Sequence, residues 1–129
     1  MKKPPDRFWS RSAIDFVAKR LGLRNSARMQ DWPYEVADPK DIDRYLILFG
    51  EVDGRDDVRF VLADMIIQAF EELGGATAAD ARWRWFLSAV GRRPELHAHQ
   101  IWYWSDFGRP LSEAWNVAPD MRELALEVL

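Results

Sequence analysis

The chain has 129 residues, of which 48% are hydrophobic, 30% charged and 13% aromatic, and at this length one domain can bury a core without disulfides or a structural metal. It contains no cysteine, which removes disulfide scaffolds, thiolate zinc sites and cysteine nucleophiles. The net charge of -3 conceals an asymmetry: residues 1–30 hold eight basic and two acidic side chains, or +6, whereas residues 31–129 stand at -9.

The N-terminal MKKPPDRFWSR is basic but no apolar segment follows it, and no apolar run approaches the ~18 to 20 residues of a membrane span, so a cytoplasmic protein is expected. Ile14, Val17, Ala18 and Leu21 recur at helical spacing, with Ser12 and Asp15 spaced as a capping box and Gly22 as the stop. Residues 1–25 therefore read as a basic appendage with one short helix, and residues 26–129 as the helical domain. The stretch 25–38 lacks helical period and carries Pro33, which points to a loop or an extended wrap. Asp38 and Pro39 then open a helix with Ile42, Tyr45, Leu46 and Phe49 on its stripe; since Ile47 and Leu48 are apolar too, burial on most sides is expected. The strongest pattern runs through Val58, Val61, Leu62, Met65, Ile66, Ala69, Phe70 and Leu73 and stops at Gly74-Gly75. Thr77 and Asp80 again match a capping box ahead of Trp83, Phe86, Leu87 and Val90. Pro94 can open a further helix, although QIWYW at 100–104 could equally alternate as a strand. Pro119 opens a last helix through Met121, Leu124, Ala125 and Val128. The expected fold is all-α, a single-domain bundle of five or six helices.

The common catalytic signatures, GxGxxG, GxxxxGK[ST], HExxH and GxSxG, are missing. His97 and His99 stand ~200° apart on a helix, so they cannot share a metal there. The turn EVDGRDD lacks the spacing of a calcium loop. No cofactor or metal is expected, and nothing among the acidic residues selects a pair for acid-base work.

The seven tryptophans say more. Trp83 and Trp85 cannot face one core from one helix, nor can Trp102 and Trp104, so one of each pair is left near the surface, where tryptophan commonly anchors an interface. Glu71 and Glu72 fall in the last turn of the longest helix, where the helix dipole disfavours anions. If the loop before that helix folds beside its end, they join Glu51, Asp53, Asp56 and Asp57 in one acidic surface. The candidate partner-binding residues are therefore these six carboxylates with Trp85, Trp102 and Trp104.

Three strings, QDWPYEVADP at 30–39, LHAHQIWYW at 96–104 and AWNVAPDMR at 114–122, together resemble a pattern in small, uncharacterised all-helical bacterial proteins, some of them immunity partners of secreted polymorphic toxins. The likeness spans about residues 29–122, implies no catalytic residue, and departs from the pattern at Ala118, where a Ser or Thr cap would stand. Taken with the -9 of residues 31–129 and the tryptophans left near the surface, it leads to a non-enzymatic protein expected to neutralise a basic protein partner, such as a toxin, through an acidic, Trp-containing surface. The alternative is a nucleic-acid-associated module that uses the basic N-terminal region on phosphates, against which stands the -9 of the remaining chain.

Overall fold

The structure is a computed structural model that describes residues 1–74 and 77–129, apart from the side chain of Ala78. The described residues form seven α-helices: α1 Arg11–Leu21, α2 Trp32–Val36, α3 Ile42–Glu51, α4 Asp56–Leu73, α5 Ala81–Gly91, α6 Pro94–Ser105 and α7 Ala118–Val128. The all-α class stands, with seven helices in place of the expected five or six. The additional one is α2, in the stretch expected to be a loop. Pro33 sits in its first turn, where a missing N–H costs nothing, and Trp32 is wholly buried with its indole N–H donating to the Arg24 carbonyl at 2.8 Å. The segment 94–105 is helical rather than extended.

The chain divides into two compact units, Phe8–Glu72 and Met1–Arg7 with Leu73–Leu129, so the expected boundary after residue 25 falls inside the first. Residues 1–25 are shared between the units: α1 buries Ala13, Ile14, Val17, Ala18 and Leu21 in the first.

In Phe8–Glu72, α1 is capped by Ser10 rather than Ser12, the hydroxyl accepting from Ala13 N–H at 3.2 Å. It ends as expected at Gly22, whose φ of 66° a side chain would resist. Arg44 of α3 then donates to the Leu21 carbonyl at 2.8 Å, a cation placed at a helix C-terminus. Asp38 caps a 3₁₀ turn over Pro39–Asp41, and α3 follows it rather than starting at Pro39. The helix enclosed on most sides is α4 and not α3. Twelve of its eighteen residues are buried, including Arg59 and Asp64, whereas Ile47 of α3 is 65% exposed. Asp64 accepts from the Trp9 indole at 2.9 Å and Arg59 lies 3.9 Å over the Phe49 ring, so each of these buried charges has an oriented polar or aromatic neighbour.

In the other unit α5, α6 and α7 pack together. Asp80, not Thr77, caps α5, because Thr77–Ala79 forms a 3₁₀ turn of its own. Gly91 ends α5 for a packing reason: a Cβ there would lie 2.9 Å from Leu124 Cδ1 of α7. Among the described residues no helix is long and apolar enough to cross a membrane.

Candidate interaction surfaces

The six carboxylates expected to form one acidic surface all belong to Phe8–Glu72, but α4 holds them apart. Glu51, Asp53, Asp56 and Asp57 cluster at its start and Glu71 and Glu72 at its end, so Asp57 and Glu71 are separated by about 21 Å of helix, at 1.5 Å per residue. The first group is largely engaged within the unit: Arg20 binds Glu51 at 2.7 Å, Arg59 binds Asp53 at 3.1 Å and Arg55 stands 3.9 Å from Asp57. Asp56 and Asp57 occupy the first turn of α4, where the dipole favours them. At the far end, partial burial pushes the Glu72 carboxyl above its usual range; Asp38 adds to the rise and a hydrogen bond from Gln68 opposes it. Asp38, which sequence reasoning had used only as a cap, thus stands near the second acidic group.

Several of the basic N-terminal side chains are also engaged. Lys3 pairs with Asp6 at 3.0 Å, Arg11 with Asp15 at 3.1 Å, and Arg24 donates to the Glu35 carbonyl at 2.8 Å.

The tryptophan pairs separate as the helical period requires. Trp83 is buried, its indole donating to Asp120 at 2.9 Å, while Trp85 is 49% exposed. Trp102 is partly exposed, and Trp104 is 2% exposed with its ring 5.5 Å from Trp115. Trp104 is therefore a core residue, unlike the surface anchor expected of it. The histidines occupy different surroundings: His97 is buried with Nδ1 2.7 Å from the Gln100 amide oxygen, whereas His99 lies 3.4 Å from Asp6 and beside Trp102.

Past the end of α6 the chain builds a cleft of about 370 Å³ whose walls are Trp102, Tyr103, Phe107 and Trp115, with Asp106 and Arg109 also lining it. Its frame comes from one side chain. Arg122 of α7 donates through Nε to the Ser105 carbonyl at 2.7 Å and through Nη2 to the carbonyls of Asp106 and Arg109 at 2.6 and 2.7 Å. A guanidinium with fixed donors suits this task, since it satisfies the open carbonyls at the end of α6 and its charge meets the negative end of the helix dipole. Asp106 takes the left-handed conformation, φ 50°, that turns the chain out of α6; aspartate tolerates it better than most residues. Arg122 also lies 5.6 Å over the Phe107 ring, so the same group that holds the turn steadies one wall of the cleft.

The structure thus brings Trp102 together with three aromatic residues not singled out in the sequence. Phe107 and Trp115 lie in the aperiodic stretch 106–117, where spacing carries no information about which side chains meet. No family model matches the chain, nor does any curated protein or solved structure.

Proposed function

We propose that the chain is a cytoplasmic binding protein that neutralises a basic protein partner in the manner of an immunity protein, and that the aromatic cleft beyond α6 is where it grips. The observation that carries this reading is the cleft itself: four large aromatic side chains around one concavity, on a turn held by three carbonyl hydrogen bonds from Arg122. Rigid aromatic side chains lose little conformational entropy on binding and dominate the energetics of most interfaces. The unit that holds the cleft, with nine basic and eight acidic side chains, is itself nearly neutral, while the net charge of -3 on the chain as a whole favours a cationic partner at long range. Such a charge raises the encounter rate of a basic protein more than it deepens the bound state. The resemblance of the three strings to immunity proteins points the same way, and the function needs no catalytic group.

The nucleic-acid alternative draws less support, since Lys3, Arg11, Arg20 and Arg24 already hold partners within the chain. The test is kinetic, with the product of the neighbouring gene as the probe, and the reading requires that product to be a basic protein. Replacing Trp102 and Phe107 together by alanine should speed its dissociation by a factor corresponding to ~2 kcal/mol or more, with circular dichroism unchanged. Association should slow as salt rises. A complex that forms equally fast at low and high salt and survives loss of both aromatics would show that this surface is not the site.

A further inference from the structure

α5 and α7 run side by side in the same direction: the Trp83–Asp120 hydrogen bond of 2.9 Å ties their first turns, and the missing side chain at Gly91 lets Leu124 close in further along. Above this contact lies an open groove of about 440 Å³. One wall carries Arg84 of α5 and Arg92 just past its end, the other Glu123 and Glu127 of α7, and all four are exposed; Asp120, partly exposed and already accepting from the Trp83 indole, also lines the α7 side. Among the described residues none of the four takes an ion pair or a side-chain hydrogen bond, although walls of opposite sign face each other across the groove. At 100° per residue, Trp85 falls on the outer edge of α5 beyond the arginines, and Leu126 on the outer edge of α7 beyond the glutamates. They are 49% and 76% exposed. Across the face the order is therefore aromatic, basic, acidic, aliphatic.

We propose that this face docks a second copy of the same chain. The argument is complementarity. Two arginines against the three carboxylates of Asp120, Glu123 and Glu127 leave the face close to balanced, so neither a strongly basic nor a strongly acidic partner is drawn to it; what fits is a surface bearing the same stripes in reverse order. A two-fold axis parallel to the helices supplies that surface. It lays α5 of one copy over α7 of the other, keeps the helix directions parallel, sets each arginine wall on a glutamate wall, and brings each Trp85 toward the other copy's Leu126. An isologous contact of this kind closes on itself and makes a dimer rather than a filament. Helices of eleven residues are about 16 Å long, so the face falls short of the roughly 800 Å² per partner of a standard interface and the dimer is of the weak, concentration-dependent class.

Sedimentation equilibrium of the full chain, from about 10 to 500 µM at low salt, should show the weight-average mass rising from 15.1 kDa toward twice that value. Arg84→Glu with Arg92→Glu should weaken association at least about tenfold, and so should Glu123→Arg with Glu127→Arg, because each set of changes places like charges opposite one another. Mixing the two variants should restore a heterodimer, since a wholly acidic face then meets one on which four arginines outweigh Asp120. Leu126→Asp, at a site too exposed to disturb folding, should also hold the chain monomeric. The proposal is overturned if the wild-type chain stays at 15.1 kDa throughout, if both charge-reversed variants associate like the wild type, or if their mixture stays monomeric while each alone keeps its helical circular dichroism.

Discussion

Arg20, Arg59 and Arg55 each meet a carboxylate of the Phe8–Glu72 unit, at 2.7, 3.1 and 3.9 Å, whereas Arg84 of α5 and Arg92 just past its end stand exposed across a groove from Glu123 and Glu127 with no ion pair formed among the described residues. Around the start of α4, in the unit with the larger net charge, the charges are thus already answered, whereas along the α5/α7 groove of the nearly neutral unit they are not. Net charge per segment is a guide to steering over distance. Which surface docks depends on whether the charged groups have already found partners.

The largest effect that would break this contrast concerns α1. Deleting residues 1–25 removes Ile14, Val17 and Leu21 from the core of Phe8–Glu72 as well as Arg20 from Glu51. At ~1.5 to 3 kcal/mol for each buried aliphatic side chain, the loss should exceed about 5 kcal/mol and abolish cooperative unfolding of that unit in urea. An unchanged urea midpoint would instead make residues 1–25 the appendage that their composition suggests. A smaller effect is expected in the other unit. Arg122→Ala leaves three carbonyls of the turn after α6 without their donor and should lower stability by about 2 to 4 kcal/mol, read as a fall in thermal midpoint with loosened Phe107 and Trp115 resonances. Arg122→Lys, which lacks the fork, should recover only part of it.

The smallest expected effect is the pH response of the α5 cap. Asp80 accepts from the Arg82 backbone N–H at 2.9 Å and from its guanidinium at 2.8 Å, and that side-chain hydrogen bond, followed by the backbone bonds and the guanidinium charge, holds the carboxyl below its ordinary value near 3.8. Because the folded value is the lower one, the contribution is fully present above the unfolded value and is lost as pH falls through the folded one. Asp80→Asn keeps a cap but removes the titration. It should therefore flatten the stability profile below about pH 4 by ~1 kcal/mol or less, as followed by thermal melts in acid.

Much of the helical scaffold is legible in the residues alone, because amphipathic period and punctuation are local properties. Gly22 ends α1 and Pro94 opens α6 where their chemistry requires. α2 escapes such reading, since Pro33 signals a break as readily as a first turn, and what accompanies the first turn is the burial of Trp32 with its indole bonded to the Arg24 carbonyl. The same limit applies to α4. Its periodic residues mark one face, yet Phe60, Ala63 and Ile67 are buried as well, while Leu73, which continues the stripe, is 40% exposed. Within the candidate sites, the helical period correctly separates Trp83 from Trp85, an argument about a single helix. The cleft depends on Arg122 reaching Ser105, Asp106 and Arg109 from another helix, and no local pattern records that reach.

The unequal burial of the tryptophans has an optical consequence. Trp32, Trp83 and Trp104 are sealed inside the protein and emit from apolar surroundings, whereas Trp85, the only tryptophan in the exposed class, meets solvent and any dissolved quencher. Red-edge emission and its quenching by iodide therefore weigh most heavily on Trp85, with smaller shares from the partly exposed Trp9, Trp102 and Trp115. That indole stands on the outer edge of the α5/α7 face, so the chain carries its own unlabelled gauge of whether that face is covered: dilution of an associated sample should redden the spectrum and raise the quenchable fraction without any added dye.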